Sequence, residues 1–321
     1  MSRQRRIRLA WVTAIALPLV VAASYGVATA AGHGNGAKPA PPGGGGSSSG
    51  NPNGSSNCGP IPVLDPQSFP GSPAVTSTFN PLVPGTQTFL DGVVIDKSGV
   101  KHPHRITDTI TDLTKVIDGV RTILIYEQDT QDSQLQESEL WFGAQDNAGQ
   151  VWLFGEYPEE YSNGQVTGAP ATWLSSVAGA HAGIIMLANP QTGTPTYRQG
   201  IAPTVGFEDC ATVFQTGQHA CVTAGCYDNV LVTDEFAPND PKGGHQRKFY
   251  APGIGTIQVG AAGGVDPETL QLTKTGKLCA APFVQIRQQA QAQDQRAYTV
   301  AKNVWTRSQP VSQTLTAQFG C

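Results

Sequence analysis

Charged residues are scarce in this sequence, and basic residues are the scarcer kind. Only 14% of the 321 residues are charged, with 20 Lys and Arg against 24 Asp and Glu. No run of four or more Lys or Arg occurs after residue 30. A nucleic-acid-binding protein needs a basic face to meet phosphate, so no nucleic-acid partner is expected. The same lack argues against a polybasic patch for anionic lipids.

Motifs of nucleotide and serine-hydrolase chemistry are also missing. No G-x-G-x-x-G or G-x-S-x-G follows a strand-like run, and the chain has no Walker A loop. We therefore predict no cofactor. Long apolar, β-branched stretches fill the middle of the chain, which excludes a collagen-like or wholly disordered protein.

The first 30 residues have the order of a secretory signal. Four arginines between residues 3 and 8 precede the uncharged apolar segment 9–23, and Ala28-Thr29-Ala30 supplies a small-x-small cleavage pattern. We predict that residues 1–30 are removed, which leaves 16 basic against 24 acidic residues and a net charge of −8. The alternative is an uncleaved anchor, because residues 9–31 could span a bilayer.

Residues 31–57 are rich in Gly, Ser, Pro and Asn and contain almost nothing apolar. Such a segment cannot bury enough surface to order itself, so it is predicted to be a flexible linker. We therefore expect a secreted protein. The linker offers a means of association with the cell wall, and no membrane contact is expected after signal cleavage.

The six cysteines form an even set in a chain expected to be exported. That favours up to three disulfides over a metal site, since the tightest spacing is C-x4-C. A hairpin turning at residues 214–217 would place Cys210 opposite Cys221, and Cys279 and Cys321 could clip down the C-terminal segment. The set is Cys58, Cys210, Cys221, Cys226, Cys279 and Cys321.

The pattern from residue 58 onward is typical of β-structure. Segment 106–111 alternates polar and apolar residues, segment 121–126 is apolar on both faces, and turn signals recur about every ten residues. This predicts a mainly β fold: an antiparallel curved sheet, either a sandwich or an open barrel. Further strands are predicted at 135–144, 151–154, 211–215, 228–235, 246–251, 253–259 and 269–273.

One C-terminal α-helix is predicted after the sheet. Pro282 fits its start, Pro310 lies beyond its end, and apolar residues recur at helical spacing between them. The domains are therefore a β-rich domain at 58–275 and a helical segment at 276–321 packed on it. The expected helical face is Phe283, Val284, Ile286, Ala290, Ala297, Val300, Ala301 and Val304.

Carboxylates gather between residues 127 and 139. Glu127, Asp129 and Asp132 are weak candidates for a calcium loop, since the spacing lacks the order of an EF-hand. Glu137 and Glu139 share a strand face about 6.6 Å apart by strand rise. That separation is near the one used in glycoside hydrolysis, although acids at i and i+2 are also common on solvated faces.

Aromatic residues and one further acid complete the candidate site. Trp141 and Trp152 could line a ligand cleft or belong to the core. Glu156 follows an apolar run and could point inward, with Arg121, Arg198 or Arg247 as its partner. Gly155–Pro158 is expected to break its strand. The predicted ligand-binding residues are Glu137, Glu139, Trp141, Trp152 and Glu156.

Several blocks of the sequence occur in the order of a known family. They are HRITDTITDLTKVIDGVRT, AQDNAGQVWLFGEYPEEYSNG, GAPATW, GIIMLANP, GCYDNVLVTDE and GHQRKFYAPGIG, within about residues 80–275. The chain thereby resembles a family of exported bacterial proteins of unknown function. The resemblance implies a secreted, β-rich domain and supplies no catalytic residue.

Three functions fit these observations. The first is a non-catalytic binding or envelope-associated protein that holds a small apolar or sugar ligand or a cell-envelope component. The second is a secreted carbohydrate-active hydrolase with paired carboxylates, and the third is a structural surface-interaction protein without a small ligand. Two carboxylates from different strands beside an aromatic wall would favour the hydrolase.

Overall fold

The computed structural model describes residues 58–321, so the predicted signal peptide and linker lie outside the described residues. Short 3₁₀ turns occupy Pro66–Ser68, Pro203–Val205 and Pro241–Gly243. The strands are β1 (Thr86–Ile95), β2 (Lys101–Ile117), β3 (Val120–Gln131), β4 (Gln134–Gln145), β5 (Val151–Ser162), β6 (Gln165–Gly168), β7 (Trp173–Leu174), β8 (His181–Met186), β9 (Tyr197–Ala202), β10 (Phe207–Val222), β11 (Gly225–Phe236), β12 (His245–Ala251), β13 (Gly255–Ala262), β14 (Glu268–Lys277) and β15 (Ser312–Gln313). Two helices, α1 (Ala280–Val300) and α2 (Lys302–Trp305), precede β15.

Twelve strands form one antiparallel sheet that closes on itself. The order is β1-β2-β3-β4-β5-β8-β9-β10-β11-β12-β13-β14, and β14 pairs again with β1. The predicted mainly β, antiparallel fold with a C-terminal helix is confirmed. The sheet is a closed barrel, however, rather than a sandwich or an open barrel. The strand that closes it, β1, lies outside all the predicted strand segments.

Strand β5 continues through the segment that was expected to break it. Pro158 pairs with Glu139 of β4, while the other edge of β5 pairs with β7 at residues 155–156 and with β6 at residues 160–162. Pro158 therefore lies between two short partner strands, where the ladder requires no donor from it. A proline is tolerated in a strand at such a position.

The C-terminal helices cover the outer face of the barrel at β2 to β5. Phe283, Ala290 and Ala297 of the predicted helical face are buried, but Val284 and Val300 are 38% and 44% exposed. The polar residues Gln293 and Asp294 are buried in their place, because β2 and β4 present polar partners to the helix. Within residues 58–321, no helix combines the length and apolar character needed to cross a membrane.

All six cysteines are paired, but the pairing expected for the hairpin is wrong. The bonds are Cys58–Cys210, Cys221–Cys226 and Cys279–Cys321. Residues 214–217 do not form the hairpin turn; β10 continues through them with shifts in register. The chain turns only after residue 222, so Cys221 lies opposite Cys226. The clip between Cys279 and Cys321 is confirmed.

Candidate functional site

A cavity of about 140 Å³ lies inside the barrel. Nine of the twelve strands that form the barrel contribute to its wall, together with residues 80–82 from the segment before β1. The wall combines apolar and polar side chains. The apolar side chains are Leu82, Leu90, Ile110, Ile125, Leu153, Ile185 and Ile254; the polar or aromatic ones include Thr88, Asp108, Glu127, Trp141, Glu156, Gln199, Lys248 and Tyr250.

The segment before β1 crosses one end of the barrel. The backbone N–H of Thr76 donates to Oε1 of Gln145 at 2.6 Å, on β4. On the other side of the segment, the N–H of Gly253, after β12, donates to the carbonyl of Thr78 at 2.7 Å. Leu82 then packs into a buried cluster with residues of β2, β3, β5 and β11. These contacts place an apolar floor beneath the cavity.

Carboxylates form two rows across adjacent strands above this floor. Asp108 on β2 pairs in register with Glu127 on β3, and Glu127 pairs with Glu139 on β4. One step further along, Asp129 on β3 pairs with Glu137 on β4. Like charges directly opposite each other on neighbouring strands reduce stability. Closure of the barrel gathers five carboxyl groups of three strands on its inner side.

Glu137 and Glu139 occupy the face that the alternation of β4 predicted, but that face does not point to solvent. Trp141, two residues further along the same face, lines the cavity. Glu139 is only 1% exposed. The interpretation of Glu139 as a solvent-facing acid is therefore wrong, because closure of the sheet turns the face inward, and Glu137 on the same face is half-buried.

Lys248 lies at the cavity wall and is held by a buried acid. Its Nζ pairs with Oε2 of Glu235, whose Oε1 accepts hydrogen bonds from Thr233 Oγ1 at 2.8 Å and Tyr250 OH at 2.9 Å. Burial alone would raise the pKa of Glu235. The charge of Lys248 and these hydrogen bonds outweigh burial and bring the pKa below its usual value. Burial raises the pKa of neighbouring Asp209 to about 6.

His104 joins two further interior acids. Its Nε2 pairs with Oδ1 of Asp129, and its Nδ1 lies 2.9 Å from Oε1 of Glu268. Oε2 of Glu268 accepts a hydrogen bond from Gln246 at 2.9 Å. Burial lowers the pKa of His104, but the hydrogen bonds and charges of Asp129 and Glu268 outweigh it and raise the pKa to about 9. His104 is therefore a cation at neutral pH.

The predicted inward position of Glu156 is confirmed by its 4% exposure. Its Oε2 accepts a hydrogen bond from Nε1 of Trp173 at 3.0 Å. Among the expected partners, Arg198 pairs with Glu208, and Arg247 lies 2.8 Å from Asp234. A hydrogen bond from the Trp173 indole thus holds the Glu156 carboxylate at the cavity wall. The sequence did not indicate this contact.

The predicted aromatic residues separate into two groups. Trp152 is buried in the outer cluster beneath the C-terminal helices, and its Nε1 donates to Oδ2 of Asp146 at 2.8 Å. Only Trp141 reaches the cavity. Trp152 is thus a core residue rather than part of the candidate site.

The weak calcium candidates are not gathered at one point. Asp132 lies 51% exposed at the β3–β4 turn, 2.8 Å from Nδ1 of His102, whereas Asp129 binds His104 inside the barrel. Within residues 58–321, Glu127, Asp129 and Asp132 do not form a three-ligand cluster. Calcium binding stays a prediction.

Comparisons with known proteins give little further information. No protein-family model and no curated protein matches the chain. Among solved structures, a predicted exported protein of Bacteroides fragilis with a YmcC-like fold is 13% identical at a TM-score of 0.36, covering 63% of this chain and 100% of that one. A predicted lipoprotein of Parabacteroides distasonis is 12% identical at a TM-score of 0.33, covering 62% and 99%.

Likenesses at these values do not establish a common fold. The resemblance of the sequence to a family of exported proteins accordingly stays a prediction.

Most residues of the cavity wall were missed in the sequence, among them Asp108, Gln199, Lys248 and Tyr250. Asp108 lies on the same strand face as Ile106 and Ile110, and Lys248 follows the three polar residues 245–247 of β12. Closure of the barrel turns the face of Ile106 and Ile110 inward, so Asp108 faces the interior with them. Knowledge of barrel closure would therefore have found Asp108, whereas the polar run before Lys248 gives no signal of its position.

Proposed function

We propose that the protein is an exported, non-catalytic binding protein whose barrel cavity holds a small organic cation. The observation that carries this proposal is the placement of Asp108 and Glu127 at one wall of the cavity and Glu156 and Trp141 beside them. Carboxylates attract an ammonium group, and an indole face binds a cation through its quadrupole.

The size and polarity of the cavity support a ligand with an apolar part. A cavity of about 150 Å³ accepts a ligand the size of benzene, so a volume of about 140 Å³ suits a compact ligand rather than an oligosaccharide. The apolar floor around Leu82 and Ile125 would contact the hydrocarbon groups. Lys248 adds one positive charge to the wall, but Glu235 holds its ammonium group.

The disulfides support export. All six cysteines are paired, and disulfides persist in oxidising compartments such as the periplasm and the extracellular space.

Calorimetric titration of the full chain with choline tests the proposal. The control ligand is 3,3-dimethylbutan-1-ol, which has nearly the same shape and no charge. We expect choline to bind at least tenfold more tightly than the alcohol, and Trp141→Leu and Glu127→Gln to weaken choline binding about tenfold. Asp132→Asn, at an exposed acid, is the matched control and should leave binding unchanged.

Equal affinity for choline and the alcohol would rule out a cation site. Binding of a monosaccharide without binding of choline would favour the sugar ligand expected from the sequence.

A secreted carbohydrate-active hydrolase is the second candidate. It is favoured by the same carboxylates, since Asp108, Glu127 and Glu156 come from three different strands beside Trp141. Incubation with a panel of 4-nitrophenyl glycosides tests it. Release of nitrophenol that is lost in both Glu127→Gln and Glu156→Gln would favour the hydrolase over the binding protein.

A further inference from the structure

The tip of the β10–β11 hairpin carries four reactive or titratable side chains outside the barrel cavity. Cys221 and Cys226 lie directly opposite each other and form a disulfide. His219 and Asp228 lie two residues away on the same two strands, so they share a face with the cysteines. All four residues are exposed. The N–H of Ala224 donates to the carbonyl of Leu272 on β14 at 3.0 Å, which anchors the tip.

The imidazole of His219 connects the acid to the disulfide. Its Nδ1 lies 2.7 Å from Oδ1 of Asp228, and its Nε2 lies 3.4 Å from Sγ of Cys221. A carboxylate on one ring nitrogen fixes the orientation of the ring and directs the other nitrogen to its target. A cationic neighbour stabilises a thiolate, and a stabilised thiolate is the better leaving group in disulfide exchange.

This disulfide differs from Cys58–Cys210 in burial and from both other disulfides in the short loop that it closes. Cys58 and Cys210 are fully buried and 152 residues apart in sequence. Cys221 and Cys226 are only five residues apart, within a hairpin that backbone hydrogen bonds already close. A short loop loses little entropy on crosslinking, so this bond contributes least to stability. The exposure of this disulfide and the position of His219 beside it are better explained by a reactive role than by a stabilising one.

We propose that Cys221–Cys226 is a thiol–disulfide exchange site that oxidises dithiols. A thiolate of the substrate attacks Sγ of Cys226, the S–S bond breaks, and Cys221 leaves as a thiolate beside the imidazolium form of His219, which protonates it. The second substrate thiolate attacks the substrate sulfur of the mixed disulfide. Cys226 is then released and takes a proton from solvent. The substrate dithiol loses two electrons and two protons, and the protein disulfide gains them.

Timed reduction of the full chain by dithiothreitol at pH 7 tests this proposal. Alkylation and mass mapping at each time give the rate for each disulfide. We expect Cys221–Cys226 to be reduced at least tenfold faster than Cys58–Cys210 and Cys279–Cys321. His219→Gln should slow that rate about tenfold, Asp228→Asn should slow it less, and the exposed His181→Gln should leave it unchanged. Circular dichroism of each variant checks that the fold is retained.

Two outcomes would overturn the proposal. One is a rate for Cys221–Cys226 no faster than for the other disulfides. The other is a fast rate that His219→Gln leaves unchanged, because exposure alone would then account for the reactivity. A second arm replaces dithiothreitol with a reduced dithiol peptide. A higher rate with the peptide assigns the site to protein thiols, and a higher rate with dithiothreitol assigns it to small dithiols.

Discussion

Nζ of Lys115 and Oδ1 of Asp294 are 2.8 Å apart, and both side chains are almost completely buried. Lys115 belongs to β2 and Asp294 to α1, so the ion pair joins the barrel to the C-terminal helix. The same Oδ1 accepts a hydrogen bond from Nε1 of Trp305 at 2.8 Å, and Oδ2 accepts one from the N–H of Val311 at 3.1 Å. One carboxylate thus holds the strand, both helices and the chain that follows them.

Replacing Lys115 by Met is expected to destabilise the protein by about 3–5 kcal/mol. The change leaves the carboxylate of Asp294 buried without its cation, and an uncompensated buried charge is costly. Urea unfolding followed by circular dichroism measures the change. Lys101→Met, at an exposed lysine, is the matched control and should shift stability by less than about 0.5 kcal/mol. A loss for Lys115→Met as small as the control's would contradict the role of the pair.

His104 should make stability depend on pH above neutrality. Its folded pKa of about 9 lies above the usual value of 6.5, so its contribution is complete below pH 6.5 and is lost as pH rises through 9. The full contribution is on the order of 3 kcal/mol. The stability difference between the wild type and His104→Gln should therefore shrink between pH 7 and pH 10.

Nuclear magnetic resonance titration of the imidazole checks the His104 prediction directly. The exposed His181 serves as the internal reference. A midpoint for His104 below pH 7 would be incompatible with the contacts to Asp129 and Glu268.

The sequence predicted the strands better than the shape they make. Alternation assigned Glu137 and Glu139 to one face of β4, and the structure agrees. Which face meets solvent depends on whether the sheet closes, and closure depends on β1 pairing with both β2 and β14. Those pairings join residues far apart in sequence, so local alternation carries no information on them.

The buried face of α1 was predicted only in part, again because some of its contacts join residues far apart in sequence. Apolar spacing identified Phe283, Ala290 and Ala297, but it could not identify Asp294 as buried. A buried carboxylate is tolerated only with a partner. That partner, Lys115, lies 179 residues earlier in the chain.

Gly92 is expected to be essential for closing the barrel. A Cβ at this position would lie 1.8 Å from the carbonyl oxygen of Thr269, on β14, and no rotation of a side chain can relieve a clash with backbone. We expect Gly92→Ala to cost at least about 3 kcal/mol. The matched control is Gly276→Ala on β14, where a Cβ meets no atom within 4 Å.

Thermal unfolding of the two glycine variants tests the close approach of β1 and β14. A melting temperature for Gly92→Ala within about one degree of that of Gly276→Ala would show that the strands can separate locally at no cost.

The disulfides should differ in their contribution to stability by the length of the loop that each closes. Cys58–Cys210 closes a separation of 152 residues, and its replacement by two alanines should cost about 5 kcal/mol in the chain-entropy model. Cys221–Cys226 closes a separation of five, and the same replacement should cost about 2 kcal/mol. Guanidinium unfolding of the two double variants gives the order. The reverse order would mean that the hairpin tip, through its contact with Leu272, holds the barrel more firmly than the bond between Cys58 and β10.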